Sequence, residues 1–166
     1  MLDLLLMTLF PFLVIAAAIS DFFTMKIPNW LNLAIAGIML PMALLAGLPA
    51  EAFMWHLAAG GLMLVAGFGL FAANVIGGGD AKLFAAASLW IGWSQLMPFA
   101  IYTALAGGVL AIVAKMWQVV RIEHEVKDAA WLKRIIRSNF DLPYGVAIAT
   151  GAMAVYPTTF WMQRFV

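Results

Sequence analysis

The chain of 166 residues is 66% hydrophobic and only 10% charged, whereas a soluble domain is about 45–50% apolar and about 25% charged; too little polar surface exists to coat a water-soluble globule, so lipid is the natural solvent for most of it. A formal net charge of +1 gives no basic field and speaks against nucleic acid as a partner. The absence of cysteine excludes disulfides, thiolate nucleophiles and zinc or iron–sulfur ligation, and two histidines without an acidic partner pattern do not compose a metal site, which leaves carboxylates, hydroxyls and backbone to carry any chemistry.

A membrane span needs roughly 20 mainly apolar residues, and about six such runs follow one another, bounded by polar residues or by Pro and Gly. The first, Leu4 to Ser20, stops directly at Asp21. It is not read as a signal peptide despite Ala16, Ala17 and Ala18, because the first basic residue is Lys26 and Asp3 stands where the positive n-region should be. The second, Trp30 to Gly47, follows Pro28 and Asn29, an ordinary helix start with Asn29 as N-cap. The third, Phe53 to Ile76, carries His56 and Asn74, both read as interhelical or interfacial hydrogen-bonding residues. Gly77, Gly78, Gly79 and Asp80 lead into the fourth, Ala81 to Trp93, whose length of about 13 residues suits a buried or partly inserted helix better than a lipid-facing span. The fifth is Leu96 to Val119 and the sixth Pro143 to Trp161. Between them lies the one sizeable polar stretch, Arg121 to Asp141, where Trp131, Leu132, Ile135 and Ile136 share a helical face opposite Lys133, Arg134 and Arg137, the pattern of a helix in the headgroup plane.

The fold expected is an all-α polytopic membrane bundle of about six transmembrane segments, with residues 1–166 as one integral-membrane domain and no soluble domain. Small residues four apart, in Gly69/Ala73, Ala104/Gly108, Gly107/Ala111, Gly145/Ala149 and Ala147/Gly151, read as close helix packing. The methionines and tryptophans read as packing and interface residues. No internal repeat relates the two halves, which weakens a transporter built on inverted repeats. Basic residues sort to one side: Lys26, Lys82, Arg121, Lys127, Lys133, Arg134 and Arg137, with Lys115 near the same end of the fifth span and Arg164 opposite. The positive-inside rule then places the loops after segments one, three and five in the cytoplasm, and Asp21 and Asp80 face the same compartment.

Asp21 falls at the C-terminal end of the first helix, where the macrodipole disfavours a carboxylate. Asp80 reads locally as an N-cap, with the glycines before it supplying positive φ angles or, alternatively, letting another backbone approach the carboxylate. The pair says more than either acid alone. Two aspartates brought to about 3 Å cannot both ionise comfortably, so one keeps a proton while the other stays a base. Such a pair can activate water with one member and protonate a carbonyl oxygen with the other.

The sequence Ser20-Asp21-Phe22-Phe23-Thr24-Met25-Lys26-Ile27-Pro28-Asn29, followed by Gly77-Gly78-Gly79-Asp80-Ala81-Lys82, resembles the type IV prepilin peptidases, the Gly-x-Gly-Asp intramembrane aspartyl proteases. The opening of the last span, Leu142-Pro143-Tyr144-Gly145-Val146-Ala147-Ile148-Ala149, is similar to the closing segment of the short members that serve tight-adherence (Flp-type) pili. The resemblance implies Asp21 and Asp80 as the catalytic pair, Gly77 and Gly79 as the motif glycines and Gly78 at the variable position. It implies a prepilin or pseudopilin precursor as substrate, a short charged leader ahead of an apolar helix, cut at the cytoplasmic face of the bacterial inner membrane, with lipid as the other partner and no cofactor. Longer members carry a cysteine-bearing cytoplasmic region and also methylate the new N-terminus; this chain has no cysteine, so methyl transfer is not carried over.

Lys26 and Lys82 fit positive-inside placement first; moderating the charge of the pair, or holding a substrate carboxylate, is the alternative. Pro28 and Asn29 would also fix the loop that carries Asp21. Two other functions compete with proteolysis. A small proton-coupled carrier wants carboxylates near mid-membrane, and these two lie at span ends. A non-catalytic subunit of a pilus or secretion assembly would tolerate Asn at both acids.

Overall fold

The structure, a computed structural model, describes residues 2–125 and 142–163. Among these the secondary structure is entirely helical: α1 (Leu2–Thr24), α2 (Asn29–Ala46), α3 (Ala50–Ala72), α4 (Gly78–Ile91), α5 (Leu96–Glu125) and α6 (Tyr144–Val155). A 3₁₀ turn at Trp93–Gln95 introduces α5, and another at Tyr156–Thr158 links α6 to a last turn, Phe160–Gln163. Most of the basic amphipathic stretch, including Trp131, Leu132, Lys133, Arg134, Ile135, Ile136 and Arg137, lies outside the described residues.

Four helices are long and apolar enough to cross a membrane, over Met7–Thr24, Asn29–Ala46, Ala50–Ala72 and Trp93–Trp117. The fourth apolar run forms a helix of 14 residues, below the roughly 20 that a lipid-facing span requires. It is an interior helix accordingly: Leu83, Ala86, Ala87, Trp90 and Ile91 are all buried. The sixth run does not form one continuous span. Its helix stops at Val155 after 12 residues and tightens into the 3₁₀ turn Tyr156–Thr158, where Pro157 has no amide proton to continue the α-helical hydrogen bonds.

Glycine sets how the helices meet. A Cβ at Gly67 of α3 would stand 3.2 Å from the Cα and carbonyl oxygen of Ala81, and one at Gly60 would strike Leu89, so α3 lies backbone to backbone on α4. On the other side α6 packs on α5 and α1, with Gly107 beneath the Tyr144 ring and Gly151 against Thr103. Not every small pair read from the sequence packs. Gly69 and Gly108 have nothing within 4 Å of where a Cβ would be, so Gly69/Ala73 and Ala104/Gly108 face outward; four-residue spacing marks a helix face but not which face is covered.

The bundle is closed at one end by aromatic rings. Phe10 stacks on Trp90 with centroids 5.2 Å apart, and Trp90 tilts against Trp161 at 4.8 Å. Their indole N–H groups find carbonyls, Trp90 Nε1 donating to Ile35 O at 2.7 Å and Trp161 Nε1 to Trp90 O at 2.6 Å. His56 bridges α3 to α4 through Nδ1 and Leu89 O, 2.6 Å apart, the interhelical role expected of it. At the opposite end the α1–α2 and α3–α4 connections and the start of α6 converge, and both aspartates are there.

Candidate active site

Asp21 lies in the last turn of α1, at the negative end of that helix, and is only 4% exposed. The compensation comes from α6. Its first amides have no partner within the helix and carry the positive end of its dipole, and the Gly145 N–H donates to Asp21 Oδ2 at 2.7 Å. Only glycine permits this approach, since a Cβ at residue 145 would stand 2.9 Å from both Cβ and Oδ2 of Asp21.

Asp80 is 8% exposed and is the third residue of α4. It is not the N-cap that its position suggested. Gly77 is the N-cap, and the carboxylate folds back so that Gly77 N–H donates to Oδ2 at 3.2 Å, the acidic half of a capping box. Nor do the glycines supply positive φ: Gly77 has φ −71°, and neither Gly78 nor Gly79 falls in the left-handed region. What Gly77 provides is room. A Cβ at Gly77 would stand 2.8 Å from Asp80 Oδ2, too close to be accommodated without a shift, whereas one at Gly79 would make ordinary contact with Ile27 at 3.4 Å. Asp80 Oδ1 is buried without a hydrogen-bond partner among the described residues.

The two acids meet. Both line a cavity of about 590 Å³ with Met25, Phe71, Asn74 and Tyr144, and both line a second, also about 590 Å³, with Ser20, Lys26, Pro28 and Asn29. Met25 and Gly77 line both cavities as well. Burial first, and then the negative charge of Asp21, push the Asp80 carboxyl up to about 7, against the opposing pull of the Gly77 and Gly145 amides. A carboxyl held there exchanges its proton near neutrality, as an acid catalyst must.

The remaining residues singled out from the sequence surround the pair without touching it through charge. Lys26 and Lys82 are both exposed. Lys82 Nζ donates to Asn29 Oδ1 at 2.9 Å, not to either aspartate. Asn29 is therefore not the N-cap of α2; Pro28 holds that position and Asn29 opens the helix, its side chain free to tie α2 to the first turn of α4. Ser20 Oγ and Thr24 Oγ1 both donate to Lys26 O, at 2.9 and 3.1 Å, which pins the loop after Asp21. Asn74 lies beyond α3, not within a span, with φ 56° in a turn that lines the first cavity. A left-handed φ suits Asn better than most residues.

Three contributors escaped the sequence reading. Gly145 registered as a packing residue and within the closing segment, with no role assigned, and its hydrogen bond depends on a partner 124 residues away. Tyr144 stood in the same final segment but lines the cavity in its own right. Asn32, 5% exposed within α2, donates Nδ2 to Gly79 O at 3.1 Å, while its Oδ1 is buried without a partner among the described residues. An amide inside an apolar run was the available signal.

Two buried carboxyls facing one cavity at the end of a polytopic helical bundle define a membrane protein with a candidate acid–base centre. The chain belongs to the type IV leader peptidase family, whose family model matches residues 8–112, a stretch that holds both Asp21 and Asp80 but not Gly145. No curated protein and no solved structure matches it. Membership in a membrane peptidase family, together with the four spanning helices, makes this a multi-pass membrane protein whose family substrate is of the prepilin type.

Proposed function

We propose that residues 1–166 act as one intramembrane aspartyl endopeptidase domain that removes the leader peptide of type IV, Flp-like prepilins or pseudopilins at the cytoplasmic face of the inner membrane. The observation that carries this reading is the shared cavity: Asp21 from α1 and Asp80 from α4 line the same space, with the Asp80 carboxyl raised to about 7 beside its neighbour.

Asp21 accepts the Gly145 N–H at the positive end of α6, while Asp80 Oδ1 has no hydrogen-bond partner among the described residues, so Asp21 is assigned as the base and Asp80 as the proton donor. A water held by the Asp21 carboxylate attacks the scissile carbonyl carbon as Asp21 takes one of its protons. Asp80 gives its proton to the carbonyl oxygen, which yields a neutral gem-diol. Collapse reverses the traffic: Asp80 recovers a proton from a hydroxyl of the diol, Asp21 protonates the leaving nitrogen, and the C–N bond breaks to an acid and a free amine. Gly77, Gly78 and Gly79 keep the approach to Asp80 open. Lys82, Asn29, Pro28 and Lys26 shape the rim through the loop contacts given above.

Purified protein is incubated with a candidate precursor and the product mass measured. Wild type shortens the precursor by its leader, whereas Asp21→Asn and Asp80→Asn each insert normally and leave it intact. Full cleavage by either variant rejects the shared-pair mechanism. Mutants that still support pilus assembly without cleavage would favour a structural subunit instead.

A further inference from the structure

Two apolar grooves flank α4. One, about 550 Å³, runs between α2, α3 and α4 past Leu33, Gly61 and Leu64, and the Lys82–Asn29 hydrogen bond lies on its lining. The other, about 470 Å³, runs between α4, α5 and α6, floored by Ala100, Ala104, Gly108 and Ala111 of α5. Resting on the peptidase reading above, we propose that the second groove is the docking surface for the apolar helix that follows the scissile bond of the precursor.

Continuity is the first argument. Val75, Ile76 and Tyr144 line both this groove and the first aspartate cavity, so a chain lying across the two acids passes into it without a break. Its length is the second. From Ala100 to Ala111 along α5 is about 16 Å at 1.5 Å per residue, room for roughly three turns of a helix. Small residues along that floor let a second backbone come close, the main source of helix association in lipid. Among the described residues Ala104 and Gly108 of that floor are exposed, and Gly108 has nothing within 4 Å of a Cβ position.

Charge separates the two grooves. The docked helix begins just after the scissile bond, so its N-terminal, positive end lies at the site. Among the described residues no lysine or arginine lines the second groove or the cavity that it joins, and the charged groups there are Asp21 and Asp80. The first groove carries Lys82 on its lining, and the cavity on that side carries Lys26 beside the same two aspartates. A helix N-terminus thus meets the acids alone at the one mouth and the acids offset by two lysines at the other.

Two glycines make a matched test, because Gly108 in the second groove and Gly61 in the first both have open space where a side chain would go. Gly108→Leu and Gly61→Leu are assayed against a full-length membrane precursor in proteoliposomes and against a soluble peptide that spans only the cleavage site. Filling the second groove is expected to raise the KM for the precursor about tenfold relative to that for the peptide, the equivalent of losing one helix–helix contact. Gly61→Leu keeps the wild-type ratio. An unchanged ratio in Gly108→Leu, an equal loss on both substrates, or a loss that follows Gly61→Leu instead would overturn the docking surface while leaving the peptidase reading standing. A wild-type protein that cuts neither substrate would overturn both.

Discussion

Asp21 sits at the unfavourable end of one helix because the favourable end of another faces it. That exchange makes Gly145 as critical as the acid. In Gly145→Ala the new methyl would stand 2.9 Å from Asp21 Cβ and Oδ2 and 3.0 Å from Ile27 Cδ1, so either α6 or the carboxylate must move. The expected result is a fall in kcat of at least about 100-fold, given the sensitivity of catalysis to misplacement by about 1 Å, measured as leader removal by the purified variant. Asp80 governs pH dependence. With its carboxyl raised to about 7, the donor proton is present below that pH and lost above it, so kcat/KM should fall about tenfold per pH unit beyond roughly pH 8. Stability follows the same sign. The unfolded acid titrates near 3.8 and the folded one near 7, the native state binds the extra proton between them, and the fold loses stability as pH rises through that window. Asp80→Asn, which cannot ionise, should therefore melt higher than wild type at pH 8; an equal or lower Tm there would contradict the burial argument. At this scale the sequence marks the acids by their motifs, but Gly145 and Asn32 act through partners that only the folded chain brings near.

At the scale of elements, α4 is the part on which the site depends. Its first turn is fastened to α2 twice, through Asn32 Nδ2 to Gly79 O and Lys82 Nζ to Asn29 Oδ1, and its flank rests on Gly67 of α3. Asn32 contributes one bond but also buries an unpartnered Oδ1, a cost of about 1–3 kcal/mol. Asn32→Leu removes both. The expectation is a lower kcat with an unchanged or raised Tm, a split that simple loss of packing would not give. Length alone foretold that α4 would be interior. The starts of α4 and α2 were misread because their N-caps, Gly77 and Pro28, carry no hydrogen-bonding side chain to advertise a cap, and the nearby Asp80 and Asn29 do. Hydrophobicity likewise merged α6 with the residues after it, since apolar content does not register a proline break.

The whole molecule separates two features along the length of α4. From Asp80 to Trp90 along α4 is about 15 Å, with the acid pair at one end and the Phe10, Trp90 and Trp161 cluster at the other. Trp161→Ala should cost about 3–5 kcal/mol, the usual range for a buried tryptophan, seen as a lower Tm. The pH profile of cleavage should stay where it is in the protein that remains folded. A shifted profile would show that the two ends are coupled. Hydropathy made the helical bundle legible, yet it does not say which helices touch. Pairing of α3 with α4 and of α5 with α6 depends on glycines whose covered faces are set by the three-dimensional arrangement.

The 124-residue separation between Asp21 and Gly145 also bears on biogenesis. Ribosomes deliver α1 before α6, so the nascent chain carries Asp21 without the amide that holds it until α6 has been made. The hydrogen bond between Asp21 and the Gly145 amide can therefore form only once α6 packs against α1.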